Sequence, residues 1–228
     1  MTERPPILGI LMLKTGFPRP TGDVGNPASW PCATRYKVVE PANVATVVTQ
    51  GPLPGALIDA FIAAGRDLVD QGATFITTSC GFLVTAQAAL AAALPVPVVT
   101  SSLLQIPAVQ AGLPPGARVG VVTFDAGKLT PAHLAAAGAP ADTPLVGLEG
   151  GRELHRVIAG DLPDLDAAAA EADLLDAGRV LRALCPDLGA VVLECTNLPP
   201  YRAALSGALG LPVYDLVTLV GGRLDSGA

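Results

Sequence analysis

Short apolar runs alternate with longer amphipathic stretches along the chain. The runs that predict strands buried on both faces of a parallel sheet are Ile7–Leu13, Ala73–Thr78, Arg118–Thr123 and Val191–Glu194. The stretches with apolar residues at helical spacing are Leu53–Gln71 and Asp166–Leu184. Strands that alternate with helices predict an α/β fold with parallel sheets and helices on both faces.

Weaker patterns complete this picture. Shorter strands are predicted at Tyr36–Val39, Ala45–Val48, Val96–Thr100, Val146–Leu148 and Val213–Val217. A further helix is predicted over Leu83–Leu94, and another begins at Thr130-Pro131 and stops near Gly138. Between Gly16 and Pro27, glycine and proline are too frequent for a strand or a helix, which predicts a long loop after the first strand.

The two halves of the chain repeat one arrangement around a cysteine. Cys80 follows an apolar run and precedes a helical one, and so does Cys195, 115 positions later. Gly120 matches Gly9 at an offset of 111. We therefore predict two pseudo-symmetric α/β domains with the active site between them. Residues 1–100 plus 212–228 form the first lobe, which carries Cys80, and residues 101–211 form the second, which carries Cys195. On this division the last strand, after Gly210, returns to the first sheet.

Composition narrows the class of protein. Half of the 228 residues are hydrophobic, 15% are charged and the formal net charge is −6, which argues against a disordered chain, a nucleic-acid partner or an anionic membrane. No apolar stretch approaches the roughly 20 residues that span a bilayer, and no export signal is recognisable. We therefore expect a cytoplasmic protein with reduced thiols. Four cysteines without a CxxC motif and two histidines give little support for a metal site.

The repeated cysteines are the candidate catalytic residues. Helix N-termini lower the pKa of a thiol and leave N–H groups free for an anion such as a carboxylate. Two thiols on opposite sides of one carbon can remove a proton and return another, without a cofactor. The polar and loop residues expected to bind substrate are Arg19, Asn26, Ser79, Gly81, Phe82, Thr123, Thr196 and Asn197. Cys32 and Cys185 have no repeat partner and are interpreted as buried hydrophobes, and His133 and His155 as surface residues.

At these residues the chain resembles the aspartate/glutamate/hydantoin racemase superfamily. The resemblance implies two similar α/β domains and cofactor-independent catalysis by Cys80 and Cys195. Glutamate and aspartate racemases usually have Asn-Thr after the first cysteine, where this chain has Gly81-Phe82. The second motif, from Cys195 to Leu198, is similar to that of maleate cis–trans isomerases. Arylmalonate decarboxylases share the fold but keep only the second cysteine, so Cys80 argues against their chemistry.

Several functions stay open on the sequence alone. The first hypothesis is a racemase or epimerase of a small carboxylate or amino-acid-like substrate that uses proton transfer by two cysteines. The alternatives are maleate isomerase-like or related lyase chemistry on a small diacid, a binding module without chemistry, and an enzyme in which both cysteines are structural. The expected partner is a small-molecule carboxylate. Assembly into a homo-oligomer, a dimer or larger, is also expected.

Overall fold

The computed structural model describes residues 5–225 and is built on two parallel four-stranded sheets. The first sheet contains β1 (Ile7–Leu13), β2 (Ala33–Val39), β3 (Phe75–Thr78) and β4 (Val98–Val99), in the order β2-β1-β3-β4. The second contains β5 (Arg118–Thr123), β6 (Leu145–Gly147), β7 (Leu188–Leu193) and β8 (Val213–Tyr214), in the order β6-β5-β7-β8. The two orders correspond strand for strand, which confirms the predicted α/β fold with two similar halves.

Helices follow or precede nearly every strand. They are α1 (Val44–Val47), α2 (Gly55–Asp70), α3 (Gln87–Ala93), α4 (Ile106–Gly112), α5 (Pro131–Ala136), α6 (Leu154–Gly160), α7 (Ala167–Leu184), α8 (Arg202–Leu209) and α9 (Leu216–Asp225). Short 3-10 helices lie at Pro27–Ser29, Gly81–Ala86, Ser102–Gln105 and Pro199–Tyr201. Within residues 5–225, every helix is too short or too polar to cross a membrane.

The two longest helices pack on equivalent glycines of the central strands. A Cβ atom on Gly9 of β1 would lie 2.5 Å from Ile76 Cδ1 and 3.2 Å from Leu68 Cδ1 of α2. A Cβ atom on Gly120 of β5 would lie 2.6 Å from Leu188 Cδ1 and 2.9 Å from Leu181 Cδ2 of α7. At both glycines matched in the sequence repeat, a leucine of the covering helix and a residue of the neighbouring strand thus occupy the space of a side chain.

One predicted strand is a helix. Ala45–Val48 has the β-branched residues typical of a strand, but Val44–Val47 forms α1. Asn43 explains the difference, because its side chain accepts a hydrogen bond from the Thr46 N–H at 3.0 Å. The Thr46 hydroxyl in turn accepts one from the Asn43 N–H at 2.9 Å. This reciprocal capping box starts a helix and outweighs the local strand propensity.

The expected return of the last strand to the first sheet is also wrong. Val213–Tyr214 pairs with β7 of the second sheet. The chain leaves that strand at Asp215, whose carboxylate accepts the Thr218 N–H at 2.7 Å and caps α9. Leu216 and Val220 of α9 are buried in an apolar cluster with Leu8 and other residues of the first sheet. The return is therefore made by a helix, whereas the strand stays with the second sheet.

The segment between the two sheets is ordered and joins them. It forms α4 together with the 3-10 helix before it. The Ser102 hydroxyl donates to the Leu193 carbonyl of β7 at 2.6 Å. Gln110 accepts the Val119 N–H of β5 at 2.9 Å. Buried residues of both sheets also belong to one continuous apolar cluster, so an apolar contact surface runs between the two halves.

The contact at Gly120 gives a test of this packing. We expect Gly120→Ala to lower the free energy of unfolding by about 1–3 kcal/mol, because the methyl group overlaps Leu181 and Leu188. Gly207→Ala is the matched control, since Gly207 lies in α8 with open space around it and the change should stabilise by about 0.5–1 kcal/mol. Urea denaturation of both variants measures the difference, and equal effects of the two substitutions would contradict the proposed contact.

Candidate active site

Cys80 and Cys195 lie beyond the carboxyl ends of equivalent strands and line the same cavity. Cys80 follows β3 and is the N-cap residue of the 3-10 helix Gly81–Ala86. Cys195 follows β7 and precedes the 3-10 helix Pro199–Tyr201. Both residues are buried, with exposures of 8% and 6%. The tertiary structure thus brings together the two positions that the sequence repeat singled out, and their catalytic role stays a prediction.

The cavity lies between the two halves of the chain. Its lining residues are Leu13, Thr15, Phe17, Arg19, Val44, Val48, Ser79, Cys80, Gly81, Phe82, Phe124, Ile158, Glu194, Cys195, Thr196 and Asn197. The free space is about 20 Å³, which is enough for an ordered water molecule. A substrate of several carbon atoms therefore needs a lining side chain or the covering loop to move.

The backbone N–H group two positions after each cysteine favours its thiolate. The Phe82 N–H lowers the pKa of Cys80, and the Asn197 N–H lowers the pKa of Cys195. Phe82 lies in the first turn of the 3-10 helix Gly81–Ala86, where N–H groups have no partner inside the helix, and Asn197 lies in the turn before the 3-10 helix Pro199–Tyr201. A hydrogen bond to the sulfur favours the thiolate, so the two motifs provide the same local support at both positions.

Glu194 is the residue that the sequence analysis missed. Its side chain is buried, and the Oε2 atom accepts the Thr123 hydroxyl at 2.8 Å and the Phe124 N–H at 3.4 Å. The other carboxyl oxygen, Oε1, has no hydrogen-bond partner among the described residues. Burial raises the pKa of Glu194 to about 7, against the two hydrogen bonds on Oε2, which lower it. The signal in the sequence was a charged residue at the end of a buried strand, directly before a cysteine.

The electrostatics of the empty cavity oppose thiolate formation. Burial raises the pKa of Cys80 and of Cys195 far above the ordinary thiol value, and the negative charge of Glu194 raises both further. The N–H groups of Phe82 and Asn197 act in the opposite direction. Any event that protonates Glu194 or pairs it with a cation therefore makes both thiols more acidic.

Gly81 and Glu194 are complementary in shape. A Cβ atom on Gly81 would lie 2.4 Å from Glu194 Oε1 and 2.4 Å from the Glu194 carbonyl oxygen. No side chain fits there, since heavy atoms do not approach so closely. The carboxyl group of Glu194 thus occupies the space into which a side chain at position 81 would project. This explains physically why the chain has Gly81 where the racemases named above usually have asparagine.

Asp23 holds the loop after β1 over the cavity. Asp23 is fully buried and accepts hydrogen bonds from Arg19 Nη1 at 2.9 Å and from Asn197 Nδ2 at 2.6 Å. The thiol of Cys195 donates to Asn197 Oδ1 at 3.5 Å. A chain of polar contacts therefore runs from Cys195 through Asn197 and Asp23 to Arg19.

Two further contacts fix the loop to the second half of the chain. Asp161, which ends α6 with a φ of 48°, accepts the N–H groups of Gly16 and Phe17 at 2.6 and 3.1 Å. The Val24 N–H donates to the Thr196 carbonyl at 3.3 Å. The long loop predicted from glycine and proline is thus an ordered cover that bridges the two halves.

The other predicted substrate-binding residues have different positions. Arg19 lines the cavity and lies over the Phe17 ring at 4.6 Å. Asn26 does not line it, because its side chain donates to the Arg19 carbonyl and accepts the Ala28 N–H inside the loop. Thr123 serves Glu194, as described above. Thr196, finally, ties the two halves together by donating its hydroxyl to the Ser79 carbonyl at 2.6 Å.

His133 was expected at the surface and is buried instead, with 2% exposure. Its ring meets the edge of Phe82 at a centroid distance of 5.1 Å and contacts the Thr130 hydroxyl at 2.9 Å. Its place in the first turn of α5 directs the ring inward, against Phe82 of the cavity wall. His155 is half-buried and stacks on Phe124 at 4.8 Å.

Two other features of the described chain bear on the location of the site. No three His, Cys, Asp or Glu residues within 5–225 are grouped so that they could hold a metal ion. A larger open groove of about 980 Å³ lies between β4, α4 and α9, with Val99, Val109 and Leu219 among its lining residues. That groove contains neither cysteine, so we place the candidate chemistry in the smaller cavity.

Comparison with known proteins gives a family match and several relatives. Residues 49–220 match the family described as Asp/Glu/Hydantoin racemase. Dimethylsulfoniopropionate lyase 3 of Emiliania huxleyi is 31% identical over 97% of this chain and 60% of its own length. The chain thus spans about 60% of the length of that curated relative.

Solved structures show the same fold at lower identity. A sulfate-associated Gly74Cys mutant of arylmalonate decarboxylase is 18% identical, with a TM-score of 0.67 over 98% of this chain and 94% of its own. Allantoin racemase from Klebsiella pneumoniae is 16% identical, with a TM-score of 0.61 over 97% of this chain and 86% of its own. Both likenesses concern the fold alone.

The raised pKa of Glu194 predicts how stability depends on pH. From about pH 4.5, the ordinary value, up to 7, the folded protein binds more protons at this carboxyl than the unfolded chain does. Stability therefore falls as the pH rises through this window. Glutamine does not titrate. As the pH rises from 4.5 to 8, the difference in free energy of unfolding between Glu194→Gln and wild type should therefore change in favour of the variant by up to about 3 kcal/mol.

Denaturation curves at a series of pH values measure this difference. Glu149→Gln is the control for the loss of a carboxylate, since Glu149 is exposed and lies outside the cavity. A difference between wild type and Glu194→Gln that stays constant with pH would contradict the buried, proton-binding carboxyl.

Proposed function

The chain belongs to the Asp/Glu/hydantoin racemase family, and on that premise we propose that it is a cofactor-independent lyase of a small β-sulfonium carboxylate such as dimethylsulfoniopropionate. One observation carries the proposal: two buried thiols line a single cavity in a chain that is 31% identical, over 97% of its length, to a protein named as such a lyase. The fold supplies the site, and the name of the relative suggests the substrate.

The chemistry needs one base and one leaving group. A thiolate removes a proton from the carbon next to the carboxylate, and the electron pair of that C–H bond forms the new carbon–carbon double bond. The bond between the β-carbon and sulfur breaks, and its electron pair leaves with sulfur as neutral dimethyl sulfide. The products are acrylate, dimethyl sulfide and a proton, which stays on the thiol until solvent removes it.

Hydrogen-bond donors must stabilise the negative charge that develops on the substrate carboxylate when the neighbouring proton is removed. Arg19 is the candidate, because its described contacts to Asp23 and Thr15 use two of its five N–H groups. Its side chain is 12% exposed and its charge is paired with Asp23, so its remaining N–H groups act on a carboxylate chiefly as hydrogen-bond donors with little competition from water. Arg19 thereby favours removal of the neighbouring proton, whereas the apolar lining excludes water from the carbanion.

A substrate panel in deuterated water tests the reaction type. We expect dimethylsulfoniopropionate to give acrylate and dimethyl sulfide in equal amounts, as detected by proton NMR and gas chromatography. Glutamate, aspartate, allantoin and maleate are incubated in parallel. Turnover of one of these and no acrylate from dimethylsulfoniopropionate would overturn the lyase proposal, and saturable binding without turnover of any compound would favour a binding module.

Racemisation is the second candidate, because the two thiols have equivalent surroundings. Each follows a parallel strand of its own sheet, and in each case the N–H group of the residue two positions later lowers the pKa of the thiol. Such symmetry suits a two-base inversion, in which one thiolate takes a proton and the opposite thiol returns one. An elimination needs a base for only one proton and does not require equivalent groups.

Serine variants separate the two candidates. One of the two thiols is the base in the proposed elimination. We expect the variant that removes this thiol, Cys80→Ser or Cys195→Ser, to lower the rate of elimination by about 10²–10⁴. If the protein is a racemase, both variants would lose inversion. Each variant would still exchange the α-proton of one enantiomer with solvent, and the two variants would act on opposite enantiomers. Cys32→Ser is the control, since Cys32 does not line the cavity, and its activity should be unchanged. Near wild-type rates in both cavity variants would remove the two thiols from the mechanism.

A further inference from the structure

We propose that Glu194 recognises a cationic group of the substrate, so that the cavity selects zwitterions with an onium group and a carboxylate. The inference rests on the proposed function, in which Arg19 binds the carboxylate of the substrate. It deepens that proposal by assigning the recognition of the cationic group to Glu194. A ligand in which an uncharged group of the same shape replaces the onium group should bind more weakly.

The first argument is the hydrogen bonding of the carboxyl group. Thr123 and the Phe124 N–H fix Oε2, which holds the group in one orientation. Oε1 is buried at the wall next to Gly81 and has no partner in the part of the chain that the structure describes. A buried carboxylate without a counter-charge is costly, so a ligand that supplies a positive charge gains free energy there.

The second argument is the charge balance of the cavity. Its charged lining residues are Arg19 and Glu194. Arg19 is already paired with Asp23 behind it, at 2.9 Å. Glu194 has no salt bridge to a basic residue within residues 5–225 as described. When Glu194 is ionised, the cavity therefore has a negative charge that a bound cation can neutralise.

The third argument is the aromatic lining. Phe17, Phe82 and Phe124 are among the residues that line the cavity. The faces of aromatic rings attract sulfonium and ammonium groups, which are large and weakly hydrated cations. The guanidinium group of Arg19 over Phe17 shows that one of these rings already accepts a cation.

Recognition at Glu194 also bears on the thiols. The negative charge of Glu194 is one of the causes that raise the pKa of Cys80 and Cys195. A cation held against Oε1 cancels that charge, and a thiolate then forms more readily. The substrate that carries the cationic group would thus help to generate the base that attacks it, whereas an uncharged analogue would not.

Binding of two unreactive isosteres tests the inference without turnover. The probes are 3-(trimethylammonio)propionate, which is a zwitterion, and 4,4-dimethylpentanoate, which has the same shape without the positive charge. We expect wild type at pH 8 to bind the zwitterion about tenfold more tightly or better, as measured by isothermal titration calorimetry. In Glu194→Gln the preference should fall below about threefold, because the counter-charge is gone.

The controls separate the possible failures. Glu149→Gln removes an exposed negative charge outside the cavity and should keep the wild-type preference. Equal binding of the two probes by wild type overturns the inference even if Glu194→Gln does not fold. A preference that survives in folded Glu194→Gln also overturns it. A preference for the zwitterion without acrylate formation from dimethylsulfoniopropionate overturns the lyase proposal and leaves the recognition by Glu194 standing.

Discussion

The close approach of two strand ends is the constraint on which the site depends. The turn after β3 and the end of β7 meet so closely that Gly81 has no room for a side chain beside Glu194. The hydrogen bond from Thr196 to the Ser79 carbonyl holds the same two segments together. Because both thiols are attached to these segments, one contact between the halves sets the position of the cysteines and of the carboxyl group between them.

Burial gives this site its chemical character. Water would screen the interaction between Glu194 and the two thiols, but the cavity is closed by the loop after β1. Asp23 fixes that loop to Asn197, and Asp161 fixes it further upstream. The same contacts that exclude water therefore raise the pKa of both thiols. In the proposed mechanism, a substrate with a cationic group provides the change of charge that thiolate formation needs.

Local sequence signals predicted most of the framework. The apolar runs, the glycine matches and the cysteine repeat predicted the parallel strands, the two similar halves and the positions of Cys80 and Cys195. The errors occur where a single polar side chain decides the backbone. The capping box of Asn43 makes Val44–Val47 helical, and Asp215 ends β8 and caps α9. Patterns averaged over several residues do not detect such individual hydrogen bonds.

The sequence by itself determined the type of fold and which two thiols correspond, because strand burial and the repeat are properties of the chain read in order. The tertiary structure decided what surrounds the thiols. Glu194 is adjacent to Cys195 in the chain, but its place beside Gly81 depends on contacts between residues more than 100 positions apart. The charge that governs both thiols is set by those distant contacts and by exclusion of water, neither of which a local pattern encodes.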